Sequence, residues 1–314
     1  GTISLTITPV NDAPSFVAGP DQNILEDAGV QTISAWATAL SVGPANESSQ
    51  ILDFIVSNDN NALFSSQPAV SANGALSYTV AADASGTATV SVSAHDNGGT
   101  ANGGVDTSAV QTFTITVASV NDAPTFVAGP DISVAENAPA QAINPWATAI
   151  SAGAADEGGQ ILAFTVSNDN NALFSAQPSV SPAGVLSFTP APTLNGTATV
   201  TVTLVDDGGT ANGGVDTSAA QTFTISVVGV NDPPSFTAGP DQTVAEDAGA
   251  QTVDPWATAI SPGPPNESGQ TVSFTITGNT NAALFSAGPA VSASGALTYT
   301  PAANASGNAS VTLV

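Results

Sequence analysis

The sequence Val-Asn-Asp-Ala-Pro occupies residues 10–14, recurs at residues 120–124 and returns as Val-Asn-Asp-Pro-Pro at residues 230–234. The copies begin 110 residues apart in both cases, and the three tryptophans of the chain keep the same step. A period of this length exceeds that of a solenoid repeat and matches one small domain. The sequence therefore predicts a tandem array of similar domains, with the Asn-Asp-x-Pro stretch as the hinge between neighbours.

The repeated stretch also predicts the boundaries of the array. Because Ile3, Leu5 and Ile7 alternate with Ser and Thr, residues 1–9 are predicted to form the last strand of a preceding repeat, or a donor strand. The third repeat stops before its final loop and strand. We expect a segment cut from a longer array, since the missing loop has no counterpart at the N-terminus; the alternative is completion by strand exchange between molecules. The repeats cover residues 10–119, 120–229 and 230–314.

Short alternating stretches separated by turn sequences predict that each repeat is a seven-stranded antiparallel β-sandwich. Alternation is clearest near the end of the first repeat, where Phe113, Ile115 and Val117 are separated by threonines. Asn-Gly, Ser-Gly and Asn-Gly-Gly sequences supply the turns. No long stretch has the 3.6-residue period of an amphipathic helix, and one helical turn at residues 36–39 is expected to plug the core. The predicted fold class is all-β.

The composition restricts the partners of the chain. It contains 25 carboxylates but no Lys, Arg, Cys or Met, and only one His. Without cationic side chains the chain cannot attract a phosphate backbone or an anionic membrane surface, which excludes nucleic acid as a partner. No stretch approaches the roughly 18 apolar residues of a membrane span. Clustered carboxylates need a dissolved cation here, and hard oxygen ligands favour calcium.

The end of the first repeat carries a series of motifs. Ala94-His95-Asp96-Asn97-Gly98 precedes the alternating strand, and Asn121-Asp122-Ala123-Pro124 follows it. In this order the residues resemble the end of a cadherin repeat, and in particular the bacterial cadherin-like or Ig-like tandem surface repeats that end in Val-Asn-Asp-Ala-Pro. The resemblance extends over all three repeats. It implies an extracellular adhesin or matrix array whose junctions bind calcium.

The resemblance also implies which side chains bind calcium, each of them bearing oxygen and drawn from segments that meet at a hinge. At the junction near residue 121 the candidates are Glu26, Asn121, Asp122 and Asp206, with Asp156 or Glu157 near the paired aspartates of the family. At the junction near residue 231 they are Glu136, Asn231, Asp232 and Glu267. The corresponding candidates of the first repeat are Asn11, Asp12 and Asp96.

Two departures from the family pattern predict fewer or weaker ions. The Asp-Arg-Glu segment of the family has no match because Arg is absent, and the leading Asp of the linker is replaced by Ala118 or Val228. An alternative interpretation needs no ion. In it, Asn-Asp-Ala-Pro is a rigid Asx turn whose side chains hydrogen-bond the backbone and whose Pro fixes the bend.

No arrangement of residues predicts catalysis. His95 is the only imidazole, and Val205 stands at the equivalent position of the second repeat, so a His-dependent mechanism would exist in one repeat only. The carboxylate pairs beside turns lack the aromatic residues of a sugar-binding cleft. The tryptophans are expected in the core. The protein is therefore predicted not to be an enzyme.

The sequence predicts a structural and extracellular role. The leading hypothesis is a calcium-stiffened stalk or filament segment of a bacterial surface protein, in which neighbouring repeats are the partners. The alternative is a fibre subunit that forms a homopolymer by donor-strand exchange through residues 1–9. The second hypothesis draws on the absence of Lys, which usually guards sheet edges against pairing.

Overall fold

A computed structural model describes residues 1–314, and its regular structure consists of strands and short 3-10 turns. The chain divides into two compact units. The first unit comprises Gly1–Val127, Thr148–Thr165 and Thr203–Ala220. The second unit comprises Ala128–Ala147, Val166–Val202 and Gln221–Val314. The first unit thus contains the first repeat with the linker that follows it, and the second unit contains the third repeat with the linker that precedes it.

The first repeat contains nine strands. Four of them form a sheet in the order β2-β9-β8-β5, three form a sheet in the order β3-β7-β6, and β1 pairs with β4. All these pairs are antiparallel except β2 with β9, which is parallel. The strands are β1 (Ser15–Val17), β2 (Gln22–Leu25), β3 (Val30–Ile33), β4 (Thr38–Ser41), β5 (Leu52–Asn58), β6 (Phe64–Val70), β7 (Leu76–Val80), β8 (Gly86–Asp96) and β9 (Gln111–Ala118).

The second repeat follows the same plan, whereas the third has a two-stranded sheet in place of the four-stranded one. The second repeat has a four-stranded sheet in the order β11-β18-β17-β14, a three-stranded sheet in the order β12-β16-β15 and the pair β10-β13. Its strands are β10 (Thr125–Val127), β11 (Ile132–Ala135), β12 (Gln141–Ile143), β13 (Thr148–Ser151), β14 (Ala163–Asn168), β15 (Phe174–Val180), β16 (Leu186–Pro190), β17 (Gly196–Val205) and β18 (Gln221–Val228). Those of the third repeat are β19 (Ser235–Thr237), β20 (Gln251–Val253), β21 (Thr258–Ser261), β22 (Ile276–Asn279), β23 (Phe285–Val291), β24 (Leu297–Pro301) and β25 (Val311–Leu313).

The helical segments are single 3-10 turns of three residues, and none has the length and apolar character that crossing a membrane requires. The helical turn predicted at residues 36–39 is wrong, because β4 begins at Thr38 and its backbone pairs with β1 instead. The turns are Ala45–Glu47, Asn61–Leu63, Ala101–Gly103, Ala155–Glu157, Asn171–Leu173, Ala211–Gly213, Pro265–Glu267 and Ala282–Leu284.

The core of the first repeat is built from alternate residues of its long strands. Val90 of β8 is fully buried and Phe113 of β9 is 4% exposed, because successive side chains of a strand point to opposite faces. Trp36 is also buried, with its ring centroid 4.4 Å from that of Phe113. Gly19 permits this packing, since a Cβ at that position would collide with the indole. The prediction that Trp36 belongs to the core is confirmed.

Two segments lack the strands that their sequences suggest. Residues 1–9 form no strand, and Ile3, Leu5 and Ile7 are 94%, 83% and 86% exposed. A strand needs the N–H and C=O groups of a neighbour, and no sheet of this chain pairs with the segment. In the third repeat, residues 241–245 form no strand, whereas the equivalent β2 and β11 pair in parallel with β9 and β18.

Candidate metal centre at the repeat junctions

The first linker, residues 119–124, is held by carboxylates on both sides. The Val120 N–H donates to Glu26 Oε1, and the Asp122 N–H donates to Glu157 Oε1 at 2.7 Å. Glu26 follows directly after β2 and is itself anchored by its N–H, which donates to the Ala118 carbonyl at 3.0 Å. The parallel pairing of β2 with β9 therefore places Glu26 beside the start of the linker.

Glu26 is the most confined acid of this junction. Its side chain is 5% exposed, and Oε2 is buried without a hydrogen-bond partner. Burial raises the pKa of Glu26, and the negative charges of Asp156, Asp122 and Asp27 raise it further, against the opposing effect of the Val120 hydrogen bond. Because the chain has no Lys or Arg, the charge that would balance an ionised Glu26 has to come from outside the chain.

Asp27, Asp83 and Asp122 form a cluster next to Glu26. One carboxylate oxygen of each lies within 4.8 Å of the others. The Asp83 N–H donates to Asp27 Oδ1 at 3.4 Å, which holds two of the acids together. Burial raises the pKa of Asp122, and the neighbouring charges of Glu157, Asp83, Asp27 and Asp156 act in the same direction.

Asp156 approaches the cluster from the second repeat. It is exposed, and its Oδ2 accepts a hydrogen bond of 3.1 Å from Ser85 Oγ of the first repeat. A cleft of about 340 Å³ lies here, and its walls include Ser85, Asn121, Asp156 and Glu157. Segments of both repeats and of the linker thus contribute oxygen atoms to one place.

Asn121, which lines the cleft, forms a hydrogen-bond network with Asp206. The Asn121 amide donates to Asp206 Oδ1 at 2.9 Å and to the Val215 carbonyl at 2.8 Å, and its Oδ1 accepts from Gln160 at 2.7 Å. Asp206 is 6% exposed, and its Oδ2 is buried without a partner. Asn121 therefore fixes the linker through contacts with distant segments and not through the local backbone bond of an Asx turn, while Asp206 keeps one oxygen unpaired.

The candidates of the first repeat form the same network. The Asn11 amide donates to Asp96 Oδ1 at 2.8 Å, and Gln50 donates to Asn11 Oδ1 at 2.6 Å. The Asp12 N–H donates to Glu47 Oε1 at 3.0 Å, which repeats the pairing of Asp122 with Glu157. The structure thus brings Asn11 and Asp96 together, and leaves the Asp12 side chain exposed.

The second linker, residues 229–234, has the same backbone contacts but fewer charges. The Val230 N–H donates to Glu136 Oε1 at 2.7 Å, and the Asp232 N–H donates to Glu267 Oε1 at 2.8 Å. The Asn266 amide donates to Glu136 Oε2 at 2.8 Å. Asn231 lies apart from this group, since it is exposed and its amide donates to the Asp232 carbonyl at 3.2 Å.

The sequence analysis missed Asp27 and Asp83. Both are exposed acids in turns with left-handed backbone, at φ 58° and φ 54°. Asn137 and Thr193 occupy the equivalent positions of the second repeat. Asp27 and Asp83 are therefore not among the features that the first two repeats share. The signal that the sequence offered was the difference between the first two repeats, namely acids at positions 27 and 83 that the second repeat lacks.

The first junction has the donor set of a hard cation. Calcium takes six to eight oxygen ligands, mainly from carboxylates, carbonyls and water. Glu26, Asp27, Asp83, Asp122 and Asp156 supply carboxylates from both repeats and the linker. A buried carboxylate oxygen without a hydrogen-bond partner is costly unless a cation or water binds it, and Glu26 Oε2 is such an atom. The residues present therefore fit calcium.

Comparisons with known proteins agree with the architecture. Residues 121–227 match the family model of the bacterial Ig domain. The structure of mouse cadherin-23 EC22-24 shares 15% sequence identity, with 93% of this chain and 90% of that chain covered and a TM-score of 0.50. Human protocadherin-24 EC1-2 (Form II) shares 20% identity, with 70% of this chain and 100% of that chain covered and a TM-score of 0.43. No curated protein sequence matches the chain. The chain is thus an all-β array of Ig-like and cadherin-like repeats.

Proposed function

We propose that the chain is a non-enzymatic structural segment of an extracellular bacterial surface protein, in which calcium at the repeat junctions stiffens a stalk or filament. The observation that carries the proposal is the buried, unpartnered Glu26 Oε2, which lies among further carboxylates at a linker. The match of residues 121–227 to a bacterial Ig domain supports the bacterial and structural assignment. The absence of Lys and Arg supports the need for an external cation.

The ion would act by joining three segments. Glu26, Asp27 and Asp83 belong to the first repeat, Asp122 to the linker and Asp156 to the second repeat. Without a cation these carboxylates repel one another, and the repulsion is weakly screened where they are partly buried. Bound calcium supplies positive charge that offsets the repulsion. The side chains that share the ion then restrict the movement of the linker between them.

The test is small-angle scattering of the full chain in millimolar calcium and in chelator, since extracellular calcium modules bind with Kd values of roughly 10⁻⁴ to 10⁻³ M. Calcium is expected to narrow the distribution of interatomic distances. The variant Asp122→Asn should lose this response, whereas Asp53→Asn, which changes a carboxylate paired with His95, should keep it. Identical scattering of the wild-type chain with and without calcium would reject the proposal.

A second candidate function is that of a self-assembling fibre subunit, and a groove in the third repeat favours it. The groove has a volume of about 360 Å³, and its walls include Val244, Trp256, Leu297 and Leu313. Val244 is 40% exposed, and Trp256 is less buried than its counterparts. In the first repeat the strand β9 covers the corresponding indole. The groove therefore fits a β-strand with alternating apolar residues.

Residues 1–9 of a second copy of the chain are the proposed occupant of the groove. The sequence Gly-Thr-Ile-Ser-Leu-Thr-Ile aligns with residues 111–117 of β9, so Ile3 takes the place of Phe113. Phe113 is the residue that packs on the tryptophan of the first repeat, and Ile3 would accordingly pack on Trp256. Ile3, Leu5 and Ile7 present an exposed apolar face, and the groove has apolar walls that such a face would cover.

Electron microscopy and sedimentation of the full chain test this candidate. Polymers are expected for the wild-type chain, and the double variant Ile3→Asp, Leu5→Asp should abolish them by placing charges in the groove. The control Ser4→Asp, Thr6→Asp changes the other face of the same strand and should leave assembly intact. A wild-type chain that stays monomeric, or polymers that persist in the apolar-face variant, would reject donor-strand exchange.

A further inference from the structure

From the comparison of the two linkers we infer that the junctions differ in their demand for a cation. The first junction requires calcium to close, whereas the second is closed by a hydrogen bond between Asn266 and Glu136. This inference rests on the proposed calcium-stiffened function and goes beyond it, because it assigns the ion to one junction in preference to the other.

The difference in charge arises at three equivalent pairs of positions. Each pair has an acid at the first junction and a neutral residue at the second: Asp27 and Asn137, Asp83 and Thr193, Asp156 and Asn266. Three further pairs are acidic at both junctions: Glu26 and Glu136, Asp122 and Asp232, Glu157 and Glu267. The first junction therefore carries six carboxylates and the second carries three.

The backbone bonds to the glutamates and between the two turns are the same at both junctions, whereas the Val215 N–H bond to the Asn121 carbonyl, at 2.8 Å, belongs to the first junction. The Asp83 N–H donates to Asp27 Oδ1 at 3.4 Å, and the Thr193 N–H donates to Asn137 Oδ1 at 3.2 Å. The linker N–H groups reach the same pair of glutamates in both cases. Replacement of aspartate by asparagine or threonine has thus removed charge without removing the local fold.

The second glutamate oxygen shows what replaces the cation. Glu26 and Glu136 are almost equally buried, at 5% and 3% exposed. Glu26 Oε2 has no partner, because the nearby Asp156 has no proton to donate when ionised. Glu136 Oε2 instead accepts from the Asn266 amide at 2.8 Å. The Asn266 N–H places a partial positive charge beside Glu136 at the second junction. At the first junction, calcium would place a full positive charge beside Glu26.

The second junction retains three buried oxygens that lack partners: Asn266 Oδ1 and the carboxylate oxygens Asp232 Oδ2 and Glu267 Oε2. Glu267 Oε2 is unpaired because Pro264 has no N–H, whereas the Ala154 N–H donates to Glu157 Oε2 at 3.0 Å. These two acids alone give fewer charges than the first cluster and are expected to bind calcium more weakly. When calcium falls, the first junction should loosen while the second stays closed.

Reciprocal exchange of the three differing positions tests the assignment in the full chain. One variant, Asp27→Asn, Asp83→Thr, Asp156→Asn, gives the first junction the residues of the second. The other, Asn137→Asp, Thr193→Asp, Asn266→Asp, does the reverse. Calorimetric titration with calcium chloride should show at least about a 10-fold loss of the tightest affinity in the first variant and a gain of tight binding in the second.

The outcomes separate this inference from the proposed function. If the first variant binds calcium as tightly as the wild-type chain, the assignment to the first junction is wrong while calcium binding stands. If the wild-type chain binds no calcium at millimolar concentration, the proposed function fails, and the preference for the first junction fails with it.

Amide hydrogen exchange in the presence of chelator tests the second junction without a bound ion. Amide hydrogen exchange should be slower at residues 229–234 than at residues 119–124 in the wild-type chain. Asn266→Ala should abolish this protection, whereas Asp156→Ala should not reduce protection at the first linker. Equal exchange of the two linkers in chelator, or an unchanged second linker in Asn266→Ala, would overturn the inference even if calcium binds as proposed.

Discussion

The linkers at residues 119–124 and 229–234 share their backbone contacts and differ in charge. Both are held between two glutamates, yet an aspartate at position 156 becomes an asparagine at position 266 and pairs with the neighbouring glutamate. A junction can thus satisfy a buried carboxylate either with an amide from the chain or with an ion from solution. Similar repeats can therefore respond differently to the same change in solution.

The largest effect is expected from removal of the charge of one buried glutamate. In Glu26→Gln the side-chain oxygen can still accept from the Val120 N–H, but the negative charge is lost. The Kd for calcium should rise about 10- to 100-fold, by analogy with the loss of groups that support metal ligands. The matched variant Glu136→Gln should change the Kd much less. Calorimetry that gives equal effects for the two variants would remove the distinction between the junctions.

An effect of similar size, on stability instead of affinity, is expected when the amide of the second junction becomes an acid. Asn266→Asp removes the donor to Glu136 Oε2 and places a second negative charge beside it. In chelator the free energy of unfolding should fall by about 1–3 kcal/mol, the cost of leaving a buried polar group unsatisfied. Denaturant unfolding measures this change, and calcium should reverse part of it. The reciprocal Asp156→Asn should stabilise the chelated protein; a shift of the same sign in both variants would contradict the comparison.

An unpaired polar group in the core also distinguishes the first two repeats. Tyr78 is 1% exposed and its hydroxyl has no partner, while Phe188 stands at the equivalent position with nearly the same ring contact. Burial raises the pKa of Tyr78, as expected for a hydroxyl removed from water. Tyr78→Phe should therefore stabilise the protein by about 1 kcal/mol in thermal unfolding, and Phe188→Tyr should destabilise it. A loss of stability in Tyr78→Phe would show that the hydroxyl has a partner.

The smallest effect is a dependence on pH. The pKa values of Glu26 and Asp122 are raised in the folded state, so the folded form binds protons more tightly than the unfolded form. Their contribution to stability is therefore fully present below the unfolded values, near about 4, and is lost as the pH rises through the folded values. In chelator, acidification from neutral pH toward that range should protect the first linker in hydrogen exchange.

Calcium competes with those protons. Its affinity for the first junction should accordingly fall as the pH drops through the raised pKa values of Glu26 and Asp122. Calorimetry across this range checks the sign. An affinity that stays constant between neutral pH and about pH 4 would mean that these two acids do not bind the ion.

The sequence predicted the features that local patterns encode. The 110-residue period located the linkers, alternation in Phe113 and its neighbours predicted the strands, and the absence of Lys and Arg pointed to a cation. Two features depend on contacts that such patterns do not specify. The strand β4 exists because its backbone pairs with β1, and residues 1–9 lack a strand because no neighbour pairs with them.

The candidate site was predicted only in part, because contacts between distant segments bring some of its residues together. Glu26, Asp122 and Asp156 do lie together with the linker, while Asn121 forms a hydrogen-bond network with Asp206. Asp83 was missed because it reaches the junction from a turn between β7 and β8, distant in sequence from the linker. Alignment of the repeats gives the charge difference at each position, and the structure adds that these positions meet at one junction.

The parallel pairing of β2 with β9 has a mechanical consequence. In the first repeat β2 follows the short strand β1, β9 is the last strand, and four consecutive residues of β2 pair with four of β9. Tension applied at the ends pulls neighbouring parallel strands past each other in shear, so their hydrogen bonds bear the load together instead of opening one after another. Under pulling, the repeat should thus resist extension until this short ladder yields as a whole.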